Sequence, residues 1–524
     1  MLKNEERLVY PSQVSGGGES LINTIVGVMG NVLEWYDFAL FGFFSDVIAE
    51  VFFPPVPAGS SGSDANLMKS FVIFGSAFLM RPIGGLIIGY IGDKHGRKEA
   101  LTKSLFLMAI PTTLMGCLPT YKQVGVLSTI LLCLCRLIQG ISVGGQLPAS
   151  LVYTVEKRPK SQWGYYGSLP MVAANVGTLL GNICGATMRS ILTEQQLVTW
   201  GWRIPFFSGI LIAVVSCYLR KYGTDVSDIN VPQAQQGQQQ QQQQEDSRIH
   251  TKPHNPIKVA FRRENRLALL STSITPMLWA SGFYVSFVWI ALYMEELMDP
   301  PIQNAFWINS MSLLLGMTFV LPIAGHISDR IGSRIGMMTV SGILLTGLGP
   351  VCLIVISKGN PVTAFLSQLL LGLLLSFYGG PLCAWLVENF SPEVRMTSAS
   401  IGYDISHAIA GGFSPAIATA LYINFGINYA GLIYVVFGSV SVLGLYINYC
   451  FGQGDKQSDT GVTDNNNNDK SSSSVSSSPD NSNKSVVEMQ QTATNSTTTS
   501  SPSSSSSSSA TTKQSDTTSF KNIV

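Results

Sequence analysis

The sequence predicts an all-α polytopic membrane protein with twelve transmembrane helices in two six-helix bundles. Three observations carry this expectation. First, 46% of the 524 residues are hydrophobic and only 12% are charged, whereas a soluble domain is about 25% charged. The apolar residues gather in runs long enough to cross about 30 Å of hydrocarbon. Mean hydropathy stays positive, at +0.27, despite a polar tail. Second, a decapeptide recurs. Gly89-Tyr90-Ile91-Gly92-Asp93-Lys94-His95-Gly96-Arg97-Lys98 lies between two apolar runs, and Gly325-His326-Ile327-Ser328-Asp329-Arg330-Ile331-Gly332-Ser333-Arg334 lies between two others. So short a charged link between membrane-length runs is a hairpin at the membrane surface. Its return in the second half signals internal duplication. Third, Lys and Arg collect on alternate links, as they do when one set faces the cytosol.

In chain order, residues 1–20 form a short polar arm with Lys3 and Arg7. Helices are expected at about 21–44, 67–91, 101–118, 124–155, 163–190 and 202–220, so the first bundle occupies 21–221. Residues 222–258 carry the glutamine run 238–244 and read as a disordered linker, because that composition cannot bury a core. Six more helices are expected at about 267–294, 303–327, 336–356, 362–387, 396–424 and 428–450, filling a second bundle at 259–451. Residues 452–524 are rich in Ser, Thr and Asn and read as a disordered tail.

The basic residues set the orientation. Lys94, Arg97 and Lys98 lie in the second link, Lys157, Arg158 and Lys160 in the fourth, and Arg248, Lys252, Lys258, Arg262 and Arg263 in or beside the linker. Arg330, Arg334 and Arg395 continue the series, while the opposite links hold little more than Lys122 and Lys358. Both termini and the linker are therefore expected in the cytosol. A net charge of +1 gives no reason to expect nucleic acid as a partner. The eight cysteines are scattered and show neither metal spacing nor a disulfide framework. With no metal motif and no nucleophile elbow, neither an enzyme nor a cofactor is expected.

The first decapeptide resembles the loop between helices 2 and 3 of the major facilitator superfamily. NVLEWYDF at 31–38, RPIGG at 81–85, RLIQGISVGGQ at 136–146, WGWRIPFF at 200–207 and GYDISHAIAGGFSP at 402–415 narrow the resemblance to the metabolite:H+ symporters. That family includes osmoprotectant, α-ketoglutarate, citrate and shikimate permeases. The resemblance spans about 21–451. It implies alternating access and proton-driven uptake of a small organic acid or zwitterionic osmolyte by a plasma-membrane monomer. It also makes Gly89, Asp93, Gly96 and Arg97, with Asp329, Arg330, Glu388 and Arg395, elements of a conformational gate. Three positions depart from the pattern: Ser333 stands where Arg is usual, Gln146 where Glu is usual and Asp404 where Asn is more usual. A neutral Gln146 cannot carry a proton, which leaves an uncoupled facilitator open. A transporter-like nutrient sensor is the rival of another class.

Charge inside a membrane is costly and marks pathways. Glu34 and Asp37 are three residues apart, so they share a helical face about 20–24 Å along the first helix. They are expected either to exchange protons or to balance a buried arginine. Arg81 and Arg136 lie near mid-helix, with Gln139 one turn from Arg136, and each needs one of those acids or an anionic substrate. Asp404 and His407 share a face in the second half. They form either a second proton site or an ordinary interhelical contact. Trp279, Tyr284, Trp289 and Tyr293 either stack on substrate or pack the helix. Arg203, near the outer end of the sixth helix, is expected to snorkel beside Trp200 and Trp202. Gln146 remains a binding candidate through its amide.

Overall fold

A computed structural model describes residues 19–55, 61–95, 97–156, 158–222, 260–391 and 395–452. The linker, the tail and most of the N-terminal arm lie outside the described residues. Twelve long helical segments follow one another. They are α1 (Glu19–Phe43), α2 (Ser61–His95), α3 (Arg97–Cys117), α4 (Val126–Val143), α5 (Trp163–Ile191) and α6 (Glu194–Tyr218) in the first half. The second half holds α7 (Arg263–Leu297), α8 (Ala305–Ile331), α9 (Arg334–Ile356), α10 (Pro361–Glu388), α11 (Arg395–Phe425) and α12 (Ile427–Cys450). Among the described residues ten of these are long and apolar enough to cross a membrane. In α3 the entry is diluted by Arg97, Lys98, Glu99 and Lys103.

The duplication seen in the decapeptides is repeated in the packing. In the first half α1 packs on α5, α2 on α4 and α3 on α6. In the second, α7 packs on α11, α8 on α10 and α9 on α12. Each pairing is reproduced six helices later. The halves meet where α5 lies against α8 and α10, and where α2 lies against α11. Leu79, Ile110, Val214, Ile343, Leu366 and Val436 are exposed on the outer surface. An apolar rim of this kind suits lipid, where only a helix or closed barrel satisfies its own backbone.

The expected single helix at 124–155 is interrupted. A turn at Gly144 and Gly145 separates α4 from a shorter helix, Gln146–Glu156. The turn follows the tightest contact in the first half. A methyl group on Gly140 would strike the carbonyl of Ala77, and one on Gly144 the carbonyl of Arg81. Backbone therefore rests on backbone between α2 and α4, as small residues permit in membranes. Gly140→Ala should lower the Tm of the purified protein by about 1–4 °C, because overpacking costs ~1–3 kcal/mol and neither backbone can yield. An unchanged melting curve would show that the helices separate freely. Near the centre, α7 and α11 widen into π turns at Tyr284–Trp289 and His407–Gly411, a feature frequent at functional sites.

Candidate functional site at the junction of the two halves

Two buried polar systems meet at the centre. The first lies within the first half. Arg136 Nη1 donates to Gln139 Oε1 at 2.9 Å, and Gln139 Nε2 donates to Asp37 Oδ2 at 2.7 Å and to Thr112 Oγ1 at 2.9 Å. The arginine thus reaches its acid through an amide, not through a direct bridge. Its guanidinium lies over Phe38 and Phe41, 4.5 and 4.3 Å from the ring centroids. Such faces offset part of the cost of burying a cation.

The second system joins the halves. Arg81 Nε on α2 bonds Asp404 Oδ1 on α11 at 3.2 Å, with both side chains fully buried. Sequence reasoning paired Arg81 with an acid of α1 or with substrate, and Asp404 with His407. Arg81 does not bond either acid of α1, and Asp404 and His407 do not bond each other. His407 Nδ1 instead donates to the Tyr403 carbonyl at 2.9 Å, and its ring lies 3.9 Å from that of Tyr403. A residue spaced to share a face on its own helix turned out to bond across the molecule. Glu34 lies within the electrostatic reach of Arg81, Asp404 and Asp37. Among the described residues its two carboxyl oxygens have no hydrogen-bond partner, nor do Asp404 Oδ2 and Arg81 Nη1 and Nη2.

Beside these groups is a cavity with room for about one water. Trp35 and Asn175 line it from the first half, and Trp279, Phe283, Tyr284 and His407 from the second. Tyr284 also packs edge-on against Phe78, 5.1 Å between centroids. Trp289 and Tyr293 are buried away from the residues that line this cavity. Trp289 donates to Thr419 Oγ1, and Tyr293 lies against Tyr422. Gln146 opens its short helix, and its side chain lies outside the described residues.

The cavity is shut at both ends. At the end holding the basic links, Asp329 on α8 accepts from the amides of Gly164 and Tyr165 in the first turn of α5, 2.8 Å each. A carboxylate there meets the positive end of the helix dipole. Arg334 Nη1 bonds the same carboxylate at 2.9 Å, and its Nε bonds Glu388 at 2.9 Å. Arg334, the last residue of the second decapeptide, makes these pairs, whereas Arg330 is exposed. Arg395 Nε donates to the carbonyls of Val387 and Phe390 and so ties down the α10–α11 turn. Gly89 is buried with open space around it. The side chains of Asp93 and Arg97, and Gly96 itself, lie outside the described residues.

At the opposite end Arg189 on α5 donates to Asp46 at 2.7 Å and to the Phe43 carbonyl at 3.0 Å, and lies 3.7 Å from Glu296 on α7. Asn182 Nδ2 donates to the Phe306 carbonyl and Ser310 Oγ of α8. Sequence reasoning missed Arg189, Asp46 and Glu296. The available signal was a basic residue closing one span while acids closed two others. Arg203 is half-buried and lies over the Trp202 ring, 4.5 Å from its centroid. Its Nη1 donates to the carbonyls of Gly116 and Leu118, capping α3.

Two matched six-helix halves, a closed site between them and a separate closure at each end define a transporter of the major facilitator fold. Residues 23–452 match the sugar (and other) transporter family, and the chain belongs to it. It is 30% identical over 398 residues to the alpha-ketoglutarate permease of Escherichia coli (strain K12), covering 76% of this chain and 86% of that protein. It is 29% identical over 408 residues to the citrate-proton symporter of Klebsiella pneumoniae, covering 77% and 86%. In fold it is similar to the partially occluded inward open conformation of the xylose transporter XylE from E. coli, with a TM-score of 0.60 at 18% identity, over 82% of this chain and 96% of that one.

Proposed function

We propose that this secondary transporter is a proton-coupled symporter of a small metabolite bearing a carboxylate, either an organic acid or a zwitterionic osmolyte. The observation that supports this most is Arg81. Its guanidinium is buried between the halves, and Nη1 and Nη2 are without partners among the described residues. It lies over the rings of Phe78 and Tyr403, 5.5 and 5.7 Å from their centroids, which in turn pack on the cavity residues Tyr284 and His407. A buried guanidinium so placed calls for a planar anion that takes two N–H groups at once. Relatives named for citrate with protons and for α-ketoglutarate agree with that chemistry.

The bundles at 21–221 and 259–451 rock about the central site, opening one closure while the other holds. The termini and the linker lie in the cytosol, on the side that Asp329 and Arg334 close. The chain works as a monomer in the plasma membrane.

The purified protein in liposomes tests the function. With an inward proton gradient imposed, labelled α-ketoglutarate, citrate or glycine betaine should accumulate above its outside concentration, and a protonophore should abolish the accumulation. Exchange without accumulation would make the chain a facilitator. No movement of any of the three would sink the carboxylate reading.

A further inference from the structure

We infer that Asp404 is the residue that makes substrate and proton travel together, through the guanidinium it shares with substrate. This rests on the carboxylate symport proposed above and adds the carrier and the reason for coupling.

The geometry is specific. Asp404 occupies one edge of Arg81, at Nε, and leaves Nη1 and Nη2 unpartnered among the described residues. The second carboxylate oxygen, Oδ2, sits at a notch in α2 made by Gly85, one turn after Arg81. A methyl group there would come within 2.6 Å of it. Asp404 is thereby held at the Nε edge, and the N–H groups of the other edge stay unpaired among the described residues. The remaining titratable or charged groups that face this pair are Glu34 from α1, Tyr284 from α7, and Tyr403 and His407 on α11 itself, with Cys383 from α10 behind Tyr403.

Charge accounting then links the two cargoes. Without substrate, one buried cation meets one bonded buried anion. Protonating Asp404 in that state strands Arg81 as an unpaired charge, which costs several kcal/mol. Docking a substrate carboxylate on Nη1 and Nη2 without a proton puts two carboxylates on one guanidinium in low dielectric, where like charges disfavour joint ionisation. Only the two events together restore one cation to one anion. The proton comes from water on the loading side and binds Asp404 Oδ1 or Oδ2. It returns to water on the far side when substrate leaves and Arg81 reclaims Asp404.

The same exchange acts on motion. Arg81 belongs to α2 and Asp404 to α11, where the halves meet. Neutralising Asp404 removes the ion pair between the halves and leaves a weaker hydrogen bond that is charged on the Arg81 side alone. The loaded transporter is thus released to rock, and the half-loaded one is held. Asp37 cannot act this way, because its bonds to Gln139 stay inside the first half.

The test uses purified full-length protein in nanodiscs, with α-ketoglutarate and glycine betaine as probes. Binding is followed by fluorescence of the cavity tryptophans, and proton uptake by an indicator dye in weak buffer. The wild-type protein should take up about one more proton per bound probe than Asp404→Asn does. Above neutral pH its Kd should rise about tenfold per pH unit, while that of Asp404→Asn stays level. Glu34→Gln should keep the wild-type uptake. If Asp404→Asn does not fold, Asp404→Ser removes the same charge and should behave alike. Wild-type protein that binds a probe and takes up no proton overturns the inference without any variant. Equal uptake by the wild type and Asp404→Asn overturns it too, and so does loss of uptake in Glu34→Gln alone. In those cases carboxylate binding stands. Failure of the wild type to bind either probe removes the proposed function itself.

Discussion

Asp329→Asn should open the transporter at the end holding the basic links. The carboxylate of Asp329 accepts both first-turn amides of α5 and pairs with Arg334. An amide of the same size keeps one acceptor oxygen and loses the charge. Hydrogen bonds to a charged group contribute ~1.5–3 kcal/mol each, and the dipole of α5 adds a few tenths more. A loss of about 3 kcal/mol shifts a two-state equilibrium more than 100-fold. Spin labels at the exposed positions Ser161 and Arg330 flank the closure. The distance distribution between them should gain a long component in Asp329→Asn. Labels that keep the wild-type distribution would show that the closure rests on helix packing, where Gly164 and Gly325 meet backbone to backbone.

Much of the fold could be read from the sequence, since run length and the alternation of basic links need no tertiary information. The break in α4 could not, because Gly144 matters through the carbonyl of Arg81 on a neighbouring helix. The buried charges were legible as a set. Glu34, Asp37, Arg81, Arg136 and Asp404 all stand out as expensive in a membrane. Their partners were not legible. Which acid meets which arginine depends on the rotation of α2 against α11, and nothing in spacing along one helix records it. The placement of Gln139 between Arg136 and Asp37 is similar. One turn of separation announces a contact with Arg136, but not that the amide then reaches a different helix. Arg334 illustrates a smaller error. The decapeptide pattern drew attention to Arg330, but α8 ends at Ile331, and the residue after the turn is the one aimed back at Asp329.

Asp37→Asn should destabilise the protein far more than Arg136→Gln, and the two together should recover most of the loss. Arg136 is fully buried, and Asp37 is the carboxylate whose field it feels. A guanidinium cannot shed its charge in a protein, so removing Asp37 leaves a buried cation without a counter-ion, at a cost of about 3–5 kcal/mol. A carboxylate can take up a proton, so Arg136→Gln leaves Asp37 a way out. In the double variant neither charge remains, and Gln139 still has hydrogen-bonding neighbours on both sides. In a protein of this size the single Asp37→Asn change should lower Tm by about 4–6 °C, and the double variant should return to within about 1–2 °C of the wild type. The double variant should nonetheless move no substrate, because Arg136 is one of the two buried cations of the central site. The measurement is a double-mutant cycle of melting temperature and of exchange in liposomes. A contrary result is well defined. Asp37→Asn that melts like the wild type and exchanges substrate, yet never accumulates it, would make Asp37 the proton carrier and reduce Asp404 to a strut between the halves.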